Sequence, residues 1–276
     1  MTRHSIVAAF VFTFLLFDSG QVQAQEQSLG ISPIYVDATV KRGATYDEAF
    51  TIFNGTGTRL RFRFSLGDYW RDENNKRIDG RPGTLPRSAS LWVQFSPPEL
   101  IIEPGASANV KAIISVPQTA AGGYYTSPIF EAEAADKVPE SEQKPGNVTA
   151  SVTVRVNGLI MLTTEDNAEY HIEMLGGQIR PPTQSSELQL SLDLRNRSTA
   201  HVRLRGALAI LDSDGELAGR GKIEEKRYMP DQRDKLNALW AGELAPGRYT
   251  AVVTLSYDRA GTQPATLVYE IPFEVK

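Results

Sequence analysis

Residues 146–162 read GNVTASVTVRVNGLIML. Val148, Ala150, Val152, Val154 and Val156 are apolar, and Thr149, Ser151, Thr153 and Arg155 fill the gaps between them. A period of two places one set on each face of an extended strand, so one face is greasy and the other polar. At Leu159 the alternation becomes a continuous apolar run to Leu162, which predicts a strand end buried on both faces. The first part leaves two readings open. Its greasy face covers this chain's own core, or it fills a groove on another protein.

The same alternation recurs along the chain. Leu60, Phe62, Phe64 and Leu66 alternate with Arg59, Arg61, Arg63 and Ser65; Leu188, Leu190, Leu192 and Leu194 alternate with polar residues; Tyr249, Ala251, Val253, Leu255 and Tyr257 do the same. Further strands are predicted at 30–37, 46–54, 109–116, 124–132, 200–211 and 266–275. Turn pairs such as Asn54-Gly55, Pro104-Gly105, Asp214-Gly215 and Pro246-Gly247 separate them. Helical periodicity is nearly absent. Short strands without intervening helices predict an all-β chain, here two immunoglobulin-like β-sandwiches in tandem. The first is expected at residues 25–165 and the second at 166–276, with Thr163-Thr-Glu-Asp-Asn167 as a polar hinge. Tyr249, after Leu244-Ala-Pro-Gly-Arg, stands where a tyrosine corner would sit, and Gly122-Gly-Tyr-Tyr125 occupies the equivalent place in the first half.

Residues 1–24 read as a removable secretory signal: a short basic start at Arg3 and His4, an apolar run at 6–17, and Val22-Gln-Ala24 as cleavage signature. No later segment approaches a membrane span, and the sequence is expected to have no anchor at its end. The chain has no cysteine, so neither lipid attachment nor disulfides support it, and about two domains' length must hold by burial. A formal net charge of -4 argues against a nucleic-acid partner. The expected location is the periplasm, with extracellular or surface placement as the alternative. Sequons at Asn54, Asn147 and Asn196 matter only in a glycosylating host.

Catalytic equipment is sparse. There is no Gly-x-Ser-x-Gly elbow, and only His171 and His201 follow the signal segment. Two lone histidines without thiolates make no zinc signature. Asp212-Ser-Asp214-Gly-Glu216 and Asp72-Glu-Asn74-Asn75 are oxygen-rich, yet both lack the later glutamate of a calcium loop and read as turns. No phosphate-cradling glycine loop is present. We therefore expect no catalytic residue, no metal and no cofactor. Two loops stand out: the polar stretch 71–90 and the charged, proline-punctuated stretch 131–146. Arg59, Arg61 and Arg63 form a basic stripe that could meet an acidic partner or a carboxylate.

The order Phe50-Thr-Ile-Phe-Asn54, Phe95-Ser-Pro-Pro-Glu-Leu-Ile-Ile-Glu-Pro-Gly105, Val110-Lys-Ala-Ile-Ile-Ser-Val-Pro117, a Gly/Tyr turn, a long loop and the strand from Val148 resembles the periplasmic pilus chaperones of the PapD-like class. The resemblance implies a strand that lends alternate apolar side chains to a pilus subunit lacking its own last strand, which is β-augmentation. Val148, Ala150, Val152, Val154 and Val156 match that donor pattern. The same resemblance implies a terminal carboxylate held by one basic residue in the first strand and one late in the donor strand. Here the first strand, Gly30-Ile-Ser-Pro-Ile-Tyr-Val36, offers none, and the donor strand offers Arg155. Asn54, Asp68, Pro117 and Gly122-Gly-Tyr also look like the first domain of WxL-interacting surface proteins. That similarity implies an envelope scaffold or adhesion protein binding cell-wall partners, for instance through residues 71–90.

Overall fold

The structure is a computed structural model, and it describes residues 28–136 and 152–276. The signal reading of residues 1–24, and positions Val148 and Ala150, lie outside the described residues. Among the described residues there is no α-helix, and no helix is long and apolar enough to cross a membrane.

The first half contributes β1 (Ser28–Ser32), β2 (Tyr35–Val40), β3 (Thr45–Gly55), β4 (Leu60–Arg71), β5 (Arg77–Gly80), β6 (Val93–Ser96), β7 (Glu99–Ile102), β8 (Ser107–Ser115), β9 (Gly123–Ala134), β10 (Val154–Asn157) and β11 (Leu159–Thr164). One sheet runs β1-β3-β8-β6. The facing sheet runs β2-β11-β9-β4-β5, with β10 beside β11 on β9 and β7 on β4. Prolines mark the places where the chain changes sheet. β1 pairs with β3, the chain passes Pro33, and β2 then pairs with β11 in parallel. Likewise β6 pairs with β8, and after Pro97 and Pro98 β7 pairs with β4. A residue without an N–H cannot continue a ladder, so it is a natural place to leave one.

The alternation predicted at 60–66 is realised. Leu60, Phe62 and Phe64 are buried while Arg61 and Arg63 face outward. Phe50, Phe64, Phe95 and Phe130 meet in the centre, with ring centroids 5.4–6.1 Å apart across their contacts. Truncating one such ring to alanine costs about 3–5 kcal/mol, and removing these four rings would empty the core.

The second half contributes β12 (Ile172–Arg180), β13 (Leu188–Asn196), β14 (Val202–Leu211), β15 (Leu217–Tyr228), β16 (Arg233–Trp240), β17 (Gly247–Arg259) and β18 (Thr262–Val275). They form a three-stranded sheet, β12-β13-β16, over a four-stranded one, β15-β14-β17-β18. Leu188, Leu190, Leu192 and Leu194 are all buried against Ala251, Val253 and Leu255 of the other sheet's inner face. The chain is thus all-β, two immunoglobulin-like sandwiches in tandem.

One device appears in both sandwiches. Asn54, at the end of β3, donates its amide to the carbonyls of Thr58 and Ile102 and accepts from Thr56 N–H. Asn196, at the end of β13, donates to Ala200 and Tyr228 and accepts from Ser198 N–H. Each side chain replaces backbone partners that a turn cannot supply, and both asparagines are 0% exposed. The Tyr249 corner is present, its hydroxyl donating to Ala245 O at 2.9 Å. Tyr124 also returns to its turn, accepting from Ala121 N–H.

Some expectations are corrected. Thr163 and Thr164, read as hinge, are buried ends of β11 paired to β2, because the parallel ladder runs through Val40↔Thr164. Residues 71–90 are not one open loop. Arg77–Gly80 forms β5 on β4, and Asp68 gathers the rest. Asp68 is 1% exposed and accepts from the N–H groups of Gly83, Thr84 and Leu85 and the hydroxyls of Ser88 and Ser90. Burial pushes its carboxyl up, but the Ser88, Ser90, Leu85 and Gly83 bonds outweigh that and hold it below the ordinary aspartate value. The two oxygen-rich segments are turns. Asp72 accepts from Asn74 and Lys76 N–H, and Asp212 accepts from Asp214 and Glu216 N–H.

The sandwiches share a third, smaller cluster of Tyr69, Tyr125, Leu159, Met161 and Met229, with Trp70 against it. The run 159–162 is therefore divided between two cores. Ile160 and Leu162 point into the first sandwich, and Leu159 and Met161 point toward the second. Gly123 N–H donates to Thr199 O, and Arg233 N–H donates to Glu73 O. Gly122, at φ +80°, passes so close that a Cβ would lie 2.5 Å from Thr199 O, which is why the Gly-Gly turn is needed here.

Candidate functional site

β10 and β11 lie in one unbroken register on β9, from Val154↔Ala132 to Thr163↔Gly123. They differ in what flanks them. β11 has β2 on its other side throughout, while among the described residues no strand pairs with the outer side of β10. The division falls at Gly158. Its N–H bonds to Pro128 O of β9 at 2.8 Å, and the next N–H, of Leu159, turns to Ile34 O at 3.0 Å. A Cβ at 158 would lie 2.9 Å from Ile34 O and Pro128 Cγ, so glycine lets the two chains close here. Backbone groups alternate sides along a strand. Counting back from Leu159, the N–H and C=O of Asn157 and Arg155 point to the open edge.

The side chains grade from covered to bare. Val156 lies opposite Phe130 and packs partly on the first core. Val154, opposite Ala132, is 40% exposed, and Val152 is 74% exposed. Both valines of β10 share the core-facing side of the sheet with buried residues, yet the sandwich does not reach over the strand's start. So the opening question has a divided answer. Among the described residues the stretch is walled in from Leu159 onward, and before it β10 has one side unpaired.

On the opposite face the register lines up Glu99 of β7, Arg63 of β4, Glu131 of β9 and Arg155 of β10 in one cross-strand row. Arg155 Nε lies 3.7 Å from Glu131, Arg63 lies 3.5 Å from Glu99 and 2.8 Å from Glu133, and Arg61 lies 3.5 Å from Glu99. Arg59 pairs with Glu103 at 2.8 Å and Asp136 at 3.5 Å. The stripe Arg59, Arg61 and Arg63 is therefore already occupied by carboxylates of this chain. Arg155 alone of the four sits on the edge strand.

Three of the other edge strands are blunted, while β1, β2, β5, β6 and β16 also end their sheets. β18 carries Pro264 and Pro272, which have no N–H to offer. β15 carries the charged run from Arg220 to Lys226 and shifts register twice against β14. β12 bulges between Met174 and Gly176. The four residues of β10 include no proline and no register shift, and carry one charge, Arg155.

The cleft between the sandwiches holds the polar group that sequence reading missed. His201 Nε2 lies 3.1 and 3.2 Å from the Asp37 oxygens, Arg203 reaches the same carboxylate at 3.4 Å, and Tyr125 Oη accepts His201 N–H at 2.9 Å. A carboxylate accepts, so Nε2 carries the proton and the buried Nδ1 has no partner. Burial raises the Asp37 carboxyl, but the His201 bond and the charges of His201, Arg203 and Arg227 outweigh it and hold it low. The Tyr125 phenol is pushed up by burial. Among the described residues no serine hydroxyl bonds to either ring nitrogen of His201. His171 is exposed, and its backbone N–H donates to Ser198. Among the described residues no group of three or more His, Cys, Asp or Glu side chains comes together as a metal site.

No family model matches this chain, and no curated protein matches it in sequence. Solved structures align along most of its length. A chain from a chaperone–tip adhesin complex of CFA/I fimbriae aligns with TM-score 0.48 and 12% identity, over 88% of this chain and 98% of that one. The class 5 fimbriae chaperone CfaA aligns with TM-score 0.47 and 13% identity, over 87% and 98%. The E. coli chaperone DraB aligns with TM-score 0.39 and 12% identity, over 91% and 97%.

Proposed function

We propose that this chain is a non-enzymatic, exported chaperone-like protein that holds a pilus- or fimbrial-type subunit by accepting one of its strands along β10. Its working units are residues 25–165 and 166–276, delivered to the periplasm after removal of residues 1–24. The observation that carries the reading is the outer side of β10, unpaired among the described residues. Arg155 and Asn157 have backbone groups turned to that side, and Val152 and Val154 are exposed beside it. An unpaired edge with apolar side chains is an aggregation hazard when it has no use, and the exposed Val152 and Val154 beside β10 support a use for it. A subunit short of one strand has the matching need: a bare groove and unpaired backbone groups. The terminal-carboxylate anchor expected from the family pattern has no basic residue in β1 or β2 to build it. Strand pairing alone carries the proposal.

The test uses a pilin-type subunit co-expressed with the chain in a bacterial periplasm. Wild type should keep the subunit soluble and co-purify with it. The double variant Val152→Asp, Val154→Asp should fold normally, because both sites are exposed, and should lose the subunit. A folded double variant that still captures the subunit would overturn the proposal.

A further inference from the structure

The row Glu99, Arg63, Glu131, Arg155 alternates in sign across β7, β4, β9 and β10, and it stops at the open edge. Among the described residues Glu131 is the one carboxylate within ion-pair distance of Arg155, at 3.7 Å, and the Arg155 side chain is 55% exposed. A guanidinium has five N–H donors, so this contact leaves most of them unspent. A strand added at this edge sets one residue directly opposite Arg155, with Cβ atoms about 4.5–5.5 Å apart. Its neighbours in sequence fall opposite Val154 and Val156, on the core-facing side. We propose that the strand accepted by β10 carries an acidic side chain opposite Arg155, flanked on both sides by apolar residues. This inference rests on the strand-pairing reading and adds the partner's chemistry and register to it. A basic residue at that position would face Arg155 directly and be repelled. A one-residue slip would turn the partner's apolar residues to the polar face, so charge and apolar pattern fix the same register.

The probe is a synthetic ten-residue peptide of alternating valine and threonine with both termini blocked. One central threonine is replaced by Glu, Gln or Lys. Binding to the full chain is read by fluorescence anisotropy at low salt. The Glu peptide should bind about threefold to tenfold more tightly than the Lys peptide, with Gln between, as cross-strand charge pairs allow. Added salt should shrink the difference. Arg155→Glu should invert the order and Arg155→Gln should erase it, with thermal melts confirming that both variants fold. Equal binding of all three peptides, abolished by Val152→Asp, would overturn the charge assignment and leave strand pairing standing. A preference that persists in Arg155→Gln would place its source elsewhere and overturn it too. No binding of any peptide to wild type would remove both readings.

Discussion

His201 of the second sandwich and Asp37 of the first are joined across the cleft, Nε2 to Oδ1 at 3.1 Å, with Tyr125 holding the His201 backbone from below. Asp37 lies on β2, the strand that covers β11 from Leu159 onward and leaves β10, which ends at Asn157, uncovered. The same strand therefore ends the free edge on one side and ties the sandwiches together on the other.

Replacing Asp37 with Asn should cost about 1.5–3 kcal/mol at neutral pH, the range for a hydrogen bond to a charged group. The sign with pH follows from the lowered carboxyl. Its contribution is fully present above the ordinary aspartate value of 3.8 and is lost as pH falls through the lower folded value. Urea unfolding of wild type and Asp37→Asn should therefore show a gap that closes below that pH. A gap that widened on acidification would contradict this assignment.

Asp68 should be less replaceable. It gathers five donors around one buried carboxylate, and Asp68→Ala removes their common partner. We expect a loss of about 3 kcal/mol or more by chemical denaturation. Limited proteolysis should then cut first within residues 81–90.

Asn54 and Asn196 should behave as a matched pair. Alanine strands the buried Ile102 carbonyl at position 54 and the buried Ala200 and Tyr228 carbonyls at position 196, and should cost about 1–3 kcal/mol in its own sandwich. Because both amides are spent and buried, expression in a glycosylating host should leave Asn54 and Asn196 unmodified. Mass mapping of tryptic peptides checks this.

The strands that alternate strongly were legible in the sequence, and 188–195 is the clearest case because its four leucines have no other use. β15 and β16 were missed because the charged residues of Gly-Lys-Ile-Glu-Glu-Lys and Arg-Asp-Lys leave only short apolar alternations, Leu236 and Ala238 in β16 and Ile223 alone in that stretch of β15. β5 and β7 are four residues each, too short to show one. The alternation of Val152, Val154 and Val156 could be read from the period. The open side of β10 could not, since it depends on where β2 stops. The charge row exists only once register is known, because its members come from four strands. Asp37 and His201, 164 residues apart, carry no local mark at all.

Amide hydrogen exchange tests the central claim most directly. In the free chain the N–H groups of Arg155 and Asn157 should exchange quickly, while Gly158 and Leu159, bonded to Pro128 and Ile34, should already be protected. Adding a pilin-type subunit should slow Arg155 and Asn157 alone among these four. If the subunit binds and those two amides keep exchanging at the free rate, it is held by some other surface and β10 accepts no strand.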